Sequence, residues 1–390
     1  MSQAHLIKEC TVCGGELRSI FFIGNLPPVN HMVRIGEVRP QETVYPLELM
    51  QCTSCTLAQL SCEVPKEILF PDSYPFRSSA TAAHKKNFAG LANAIQKMKP
   101  EGGSVLDIGG NDGTLLSMFN QVKWNCLLVE PTDAGAEAPS DINWAKMYFS
   151  NKCSPYGKQD VITACNVFAH IHNPRSVVAT IRKMLKPDGI FVSDNHYLGS
   201  ILYGQWDTIY HEHLRYYSLS SIKFLLEAEG LEIFNVQHIP AHGGSIRVWA
   251  GHQAAHKVNR NNINAFLEEE KHFSTDLDYL SATARNAKEY FWEEYYKMPG
   301  AVWGVGAPSR ATTLCHYYGI NHQTLVGIGE VESSPKVGNY LPGTRIPIVS
   351  EKEMMKGKPD GLIMLSHHLG DALENKFRRK GVTRFLRPIE

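Results

Sequence analysis

No apolar run in this chain approaches the roughly 18 residues that a membrane-spanning helix needs. Met1 to Lys8 also lacks the apolar centre of a secretion signal. Both absences lead us to expect a cytoplasmic protein with no membrane partner. Excess charge is missing too: 39 basic residues balance 39 acidic ones and the formal net charge is zero. Without a basic stripe or a block of like charge, nucleic acid is not an expected partner. No sequence repeat recurs at a fixed short period, which excludes an array of small units. Cysteine is sparse for a disulfide scaffold, with nine in 390 residues. In a cytoplasmic setting such thiols serve as metal ligands or buried apolar groups.

What the chain does have is enough apolar sequence, 43%, to build real cores over two or three compact units. Its texture divides into residues 1–65, rich in cysteine and turns; 66–255, opening on a helical lead segment over 66–100; and 256–390. Strand patterns fall at Ser104 to Ile108, Cys126 to Glu130, Asp160 to Asn166 and Gly189 to Asp194. Helical periodicity fits Thr81 to Lys99, Gly113 to Phe119 and Pro174 to Leu185. A further helix (Ser218 to Glu229) precedes strands at Leu231 to Val236 and Ser245 to Ala250. This alternation predicts a parallel α/β sheet. A long helical pattern from Asn261 to Lys297 then leads into a second α/β unit, with strands at Ala301 to Val305, Leu325 to Gly329, Gly361 to Leu365 and Val382 to Pro388 and a helix at Arg310 to Tyr318.

Cys10-x-x-Cys13 and Cys52-x-x-Cys55 are two knuckles, each able to present two thiolates on one turn. Together they predict a closed, tetrahedral, structural zinc site, with the residues between the pairs looped out. Two separate redox-active thiol pairs are the competing reading. The remaining cysteines sit in apolar runs and are expected to be buried and inert.

Val105 to Gly113 reads as a buried strand running into a glycine turn and a helix. Such a turn lets a ligand approach the backbone, although glycines needed only for packing give the same pattern. Asp107 before the turn would repel a phosphate and suits a cationic, phosphate-free ligand. Glu130 ends the next strand, where an acid can accept ribose hydroxyls, and Asn166 ends the one after, beside the crevice at the sheet's carboxyl edge. The turn resembles the first motif of class I methyltransferases and Glu130-Pro131 their second, which implies S-adenosylmethionine held by Asp107, Gly109, Asn111, Asp112, Gly113, Glu130, Pro131 and Asn166.

Within Trp206 to Ser221, the stretch from Tyr210 onward packs three tyrosines, two histidines and a carboxylate into Tyr210-His211-Glu212-His213 and the residues that follow. General acid/base chemistry needs that density of proton-handling groups. A metal site is the weaker reading, because His-Glu-His lacks the four-residue helical spacing of a zinc protease. An ordinary polar loop with aromatic anchors is the other. In the C-terminal unit, Gly304-x-Gly306-Ala-Pro-Ser309 opens a helix and could cradle a diphosphate, with Arg310 pairing to it. His242 and Ser245 are placed to meet an acceptor or simply to turn the chain.

Taken together, the cysteine pairs, Asp-Ile-Gly-Gly-Asn-Asp-Gly, Tyr-His-Glu-His-Leu-x-Tyr-Tyr-Ser, His242-Gly-Gly-Ser245, Gly304-Val-Gly-Ala-Pro308 and Tyr340-Leu-Pro-Gly-Thr344 resemble the C-methyltransferases of nucleotide-linked 4-keto-deoxysugars. The resemblance spans nearly the whole chain. It implies an N-terminal zinc domain, a central class I methyltransferase domain with a seven-stranded sheet and a C-terminal Rossmann-like domain that helps bind the nucleotide-sugar. It further implies catalytic roles for Tyr74, His170, Tyr210, Glu212 and His213, with His172 the alternative to His170. Acceptor contacts are expected at His242, Ser245, Gly306, Ser309, Arg310 and Tyr340. Departures lie where acceptor contacts are expected: Phe76 where relatives tend to carry a second tyrosine, and Ser309-Arg310 in place of small and lysine-bearing residues.

Methylation of carbon beside a ketone needs a base and donors for the enolate oxygen. His213 is assigned as the base, Glu212 as an orienting group, and Tyr210, Tyr74 and His170 as the donors. The competing functions are an O- or N-methyltransferase on another small acceptor, a non-catalytic zinc-bearing binding protein and, more weakly, a dehydrogenase. The chain is expected to act as a monomer or small homo-oligomer.

Overall fold

A computed structural model of the chain describes residues 4–37, 42–72 and 76–389. Tyr74 lies outside these residues, as does the side chain of His242.

At its centre is a seven-stranded sheet. Its order is Leu231–Ile239, Ser245–His252, Leu185–His196, Gln159–Cys165, Gly103–Ile108, Trp124–Val129 and Asn143–Ala145. Six strands run in one direction, and the seventh, Ser245–His252, is antiparallel to both its neighbours. This is the class I methyltransferase arrangement. Strand order reverses at Gly103–Ile108, which opens a crevice at the carboxyl edge. The strands are buried on both faces, as parallel sheets require: Val105, Leu106, Leu128, Val161, Ile162, Phe191 and Val192 are essentially inaccessible to solvent. Each such side chain contributes roughly 1.5–3 kcal/mol of transfer free energy.

Helix starts follow local sequence chemistry. Thr81 caps Ala82–Met98 by accepting from the His84 amide, and Asn173 caps Pro174–Met184, which has proline in its first turn. Two expected helices differ. Over Gly113 to Phe119 only the short turn Leu116–Met118 forms, because the Asp112 carboxylate draws the Thr114 amide and hydroxyl into a local turn. The pattern from Asn261 to Lys297 splits into Arg260–Glu269 and Phe273–Tyr295. Between them Glu270 turns inward and accepts from the Leu219 and Ser220 amides, the Ser220 hydroxyl (2.6 Å) and the Tyr197 hydroxyl (3.0 Å). A carboxylate at the start of Leu219–Ala228 satisfies orphan amides and complements the helix dipole, and that position outcompetes a continuous helix.

The four-stranded antiparallel sheet near the N-terminus has the order Arg215–Tyr216, Ala58–Leu60, Tyr45–Cys52 and Leu17–Leu26. Its edge strand thus comes from the segment directly after Tyr210-His211-Glu212-His213. A five-stranded parallel sheet near the C-terminus runs Ile348–Ser350, Ile328–Glu330, Val302–Val305, Gly361–Met364 and Phe385–Leu386. The residues between the two cysteine pairs reach across the molecule: Val33–Arg34 pairs with Asn339–Tyr340. Among the described residues no helix is long and apolar enough to cross a membrane.

Candidate active site and zinc centre

Cys10, Cys13, Cys52 and Cys55 bring their four sulfurs within 4.8 Å of one another. Closest pairs are 3.5 Å (Cys10–Cys55) and 3.4 Å (Cys13–Cys52), near the roughly 3.8 Å that four Zn–S bonds of ~2.3 Å at tetrahedral angles imply. The amides of Val12, Gly15, Ser54 and Cys55 point at sulfur, as a knuckle holding thiolate requires. The Cys55 hydrogen bond outweighs burial and pulls the Cys10 thiol down to about 5, while Cys55 itself is pushed up. These residues fit zinc. All four positions are filled by protein, so the metal is structural. Among the described residues no other histidine, cysteine and carboxylate group meets metal-binding geometry, which removes the metal reading of His211-Glu212-His213.

At the crevice, Asp107 is 2% exposed and donates nothing; its carboxylate accepts from Thr163 Oγ1 at 2.7 Å. Burial, reinforced by the charges of Glu130 and Asp194, pushes this carboxyl up to about 7 against the Thr163 hydrogen bond. A cation is what that pocket is short of. Gly110 has to be glycine, since a Cβ there would collide with Asp107 Oδ2. Asn111 adopts the left-handed conformation (φ +56°), and its amide donates to Glu130 Oε2 at 3.1 Å. Glu130 Oε1 is taken by the Thr132 amide (2.9 Å) and hydroxyl (2.6 Å). About one of the four acceptor positions of a carboxylate therefore remains for a ribose.

Asn111 and Asp112 also use their side chains locally. Ser78 N donates to Asn111 Oδ1 at 3.0 Å, Asn111 Nδ2 to the Phe76 carbonyl at 3.2 Å and Ser79 N to Asp112 Oδ2 at 2.9 Å. The segment around Phe76 is thereby laid over the glycine turn. Gly109 and Gly113 both have positive φ in this turn, and Asn166 repeats the left-handed conformation (φ +58°) at the end of its strand. Pro131 follows Glu130, half-buried.

The Tyr210-to-His213 segment closes back on itself. Tyr210 Oη lies 2.9 Å from His213 Nε2, and His213 Nδ1 lies 3.2 Å from the Thr208 carbonyl. A carbonyl only accepts, so Nδ1 carries the proton and Nε2 presents a lone pair. His170 packs on the same ring, with centroids 5.1 Å apart. Its Nδ1 donates to the Glu212 carbonyl at 2.6 Å, and burial holds its basicity below the usual value. His172, by contrast, meets this region through its backbone carbonyl, which accepts from Arg215 at 2.9 Å.

Burial also pushes the Tyr210 phenol well up, so it stays a protonated donor. Asn30, from the looped-out residues of the N-terminal region, donates to Glu212 Oε1 at 2.6 Å and accepts from Ser309 Oγ at 3.3 Å. His211 points elsewhere: its Nε2 donates to the Tyr45 and Pro46 carbonyls, both at 3.2 Å, so one of the two histidines is an anchor.

The expected acceptor contacts scatter. Arg310 is buried, and its guanidinium pairs with both oxygens of Asp207 and donates to Gln205 Oε1 at 2.6 Å. His367 Nε2 completes the cluster, 2.8 Å from Arg310 and 3.0 Å from Asp207. Despite its burial, Arg310 and His367 hold the Asp207 carboxyl well below its usual range. Arg310 is thus engaged in joining two parts of the chain rather than standing open to a diphosphate.

Ser245 spends its hydroxyl on the Ala241 carbonyl (3.0 Å), and Tyr340 lies on the strand paired with Val33–Arg34. Beside Gly306 (φ +78°), the Ala307 amide donates to Glu330 Oε2 at 2.7 Å. A carboxylate on that amide disfavours a diphosphate and repeats the Asn111–Glu130 contact of the first turn. Glu330 was missed in sequence, although an acid ending the strand after a glycine turn is the signal that singled out Glu130.

Three family models match in succession: "Putative zinc binding domain" over residues 10–70, "Methyltransferase domain" over 81–236 and "C-methyltransferase C-terminal domain" over 240–389. The chain is similar to the C-methyltransferase NovU of Streptomyces niveus, 27% identical across 98% of this chain and 96% of that protein. Among solved structures it is similar to an S-adenosylmethionine-dependent methyltransferase from Clostridium acetobutylicum. That match has 15% identity and a TM-score of 0.36, and covers 45% of this chain and 93% of that one. Magnesium protoporphyrin IX methyltransferase from Synechocystis, with bound S-adenosylhomocysteine, gives 12% identity and a TM-score of 0.36 over 44% and 84%. Likeness at that level is too partial to bear on the acceptor.

Proposed function

We propose, for a chain that belongs to the S-adenosylmethionine-dependent C-methyltransferases with an N-terminal zinc-binding domain, that the acceptor is a nucleotide-linked 4-keto-deoxysugar methylated beside its ketone. The observation that carries this reading is the tautomer of His213. Its Nδ1–H is committed to the Thr208 carbonyl, and its basic Nε2 faces Tyr210 Oη at 2.9 Å. A base next to a protonated phenol and a neutral imidazole is what enolisation asks of a site.

His213 Nε2 takes the proton from the carbon beside the ketone, and the C–H electron pair passes into the enolate. Tyr210 Oη, once released from His213, donates to the enolate oxygen, with Tyr74 as a further donor, while His170, its single N–H held by the Glu212 carbonyl, packs against the base rather than donating as first expected. Glu212, held by Asn30, orients the segment. When bound, S-adenosylmethionine supplies a sulfonium methyl that accepts the carbon's electron pair as the C–S bond breaks. Asp107, Gly109, Asn111, Asp112, Gly113, Glu130, Pro131 and Asn166 hold it; His242, Ser245, Gly306, Ser309, Arg310 and Tyr340 are assigned to the acceptor side, Arg310 and Ser245 through the backbone elements they brace. NovU is a C-methyltransferase by name, which supports carbon as the target.

The proposed division of the chain is 1–65 for zinc, 66–255 for methyl transfer and 256–390 for the nucleotide. None of the nine cysteines is in a disulfide, four of them forming the zinc site, which supports a cytoplasmic setting, and we propose a monomer or small homo-oligomer.

The test is incubation with methyl-labelled S-adenosylmethionine and a panel of nucleotide-linked 4-keto sugars, read by mass spectrometry and product NMR. A new carbon-bound methyl is expected. An ether or amine methyl would instead establish the O- or N-methyl alternative.

Cofactor affinity should depend on pH through Asp107. With its carboxyl raised to about 7, the anion that attracts a cation is mostly lost at pH 6 and half present at pH 7. Affinity for S-adenosylmethionine is therefore expected to rise about fivefold from pH 6 to 7, below the ~7.7 at which an α-amine has lost half its charge. Calorimetry on wild type and Asp107→Asn decides: a slope retained in Asp107→Asn rejects this origin.

A further inference from the structure

His196 ends the strand Leu185–His196 at the carboxyl edge of the seven-stranded sheet and is only 8% exposed. Its backbone sits opposite Ser245 in the ladder, so the strand fixes where the ring lies. Neither ring nitrogen has a hydrogen-bond partner among the described residues. Buried polar groups left in that state weaken a fold and call for a reason. The ring lies beside the base, with its centroid 6.1 Å from that of His213 and the planes tilted by 54°. That spacing is too wide for a bond between the rings. It leaves a His196 nitrogen able to meet, at roughly 2.9 Å, the oxygen of an acceptor whose neighbouring carbon faces His213 Nε2.

Burial, followed by the nearby Arg310 charge, lowers the basicity of His196 to about 4, with Asp207 only partly compensating. The ring is therefore neutral across the working pH range, with one N–H to give. His170 has already committed its Nδ1–H to the Glu212 carbonyl, whereas His196 has committed neither nitrogen.

We propose that His196 is a catalytic residue that donates its ring N–H to the acceptor's ketone oxygen as that oxygen becomes the enolate. This rests on the keto-acceptor reading above. The proton removed from carbon goes to His213 Nε2, and the negative charge moves to oxygen. The His196 proton stays on its nitrogen throughout, strengthening its hydrogen bond as charge develops. A neutral donor fixed by a central strand requires no reorganisation when the charge appears.

The experiment compares wild type, His196→Leu and His196→Gln in the full-length enzyme. Leucine keeps the volume and removes both nitrogens, so the unliganded protein is expected to melt no lower than wild type. Its kcat is expected to fall ~10²–10³-fold, the range for loss of one oxyanion donor. Exchange of the acceptor's alpha hydrogen with deuterated water should slow by the same factor, and binding of S-adenosylmethionine should not change. His196→Gln keeps an N–H donor and should recover at least tenfold of the loss. A lower melting temperature for His196→Leu would mean that the nitrogens have structural partners and would overturn the proposal. So would a kcat within twofold of wild type. Should wild type methylate no keto sugar at all, the acceptor reading falls and this proposal with it; an active wild type beside an equally active His196→Leu removes the proposal alone.

Discussion

His213→Asn is expected to reduce turnover ~10²–10⁴-fold, the range for a positioned base, while affinity for S-adenosylmethionine stays as in wild type. Asparagine retains a polar group of similar bulk near Tyr210 but offers no nitrogen lone pair where Nε2 stood. Cofactor residues are untouched, because the glycine turn and Glu130 stand on other strands, Gly103–Ile108 and Trp124–Val129. Hydrogen exchange at the acceptor carbon separates chemistry from binding. Without cofactor, wild type should exchange the alpha hydrogen with deuterated water and His213→Asn should not. Exchange at the wild-type rate in the variant would move the base to another residue, and its absence in wild type would end the enolate route.

Much of this arrangement was legible in the chain itself. Strands buried on both faces announce themselves as short apolar runs, and the glycine turn with Asp107 and Glu130 follows local rules of backbone and charge. Zinc was legible from the two Cys-x-x-Cys pairs, because two ligands on one turn are a local property. What stayed hidden is long-range. Nothing near Glu270 announces that it caps a helix starting at Leu219, and nothing near Arg310 announces Asp207 and His367. Arg310 looked like a phosphate ligand because an arginine at a helix start presents the same pattern whether its partner is a ligand or a buried carboxylate. For His196 the chain shows a histidine at the end of the fifth strand among the polar groups near the acceptor segment; its missing partners appear only in the fold.

Stripping zinc from the enzyme is expected to abolish methyl transfer while S-adenosylmethionine still binds. Structural zinc contributes an apparent ~10–16 kcal/mol at neutral pH, comparable to or larger than the ~5–15 kcal/mol that holds a whole domain folded. The four-stranded sheet built around Cys52 should therefore melt without metal. The consequence for catalysis comes from its edge strand, Arg215–Tyr216, which pairs with Ala58–Leu60 two residues after His213. Leu60 N donates to the Leu214 carbonyl at 2.9 Å. Arg215, 1% exposed, donates to Thr11 Oγ1 (2.9 Å) between the first two cysteines and to Glu63 Oε1 (3.1 Å). His211 is anchored on Tyr45 and Pro46 of the same sheet. Once that sheet loosens, Tyr210 and His213 lose the two anchors that hold them beside His170. One face of the seven-stranded sheet packs a core separate from the zinc domain, with Leu91, Val105, Leu128 and Val192, and is expected to keep the cofactor crevice. Chelation followed by metal analysis, calorimetry with S-adenosylmethionine and a turnover assay measures each part. Cys52→Ser should behave as the chelated enzyme does, and full turnover in either zinc-free protein would reject the coupling. On this view the zinc, although closed to substrate, sets the register of the catalytic segment through one edge strand.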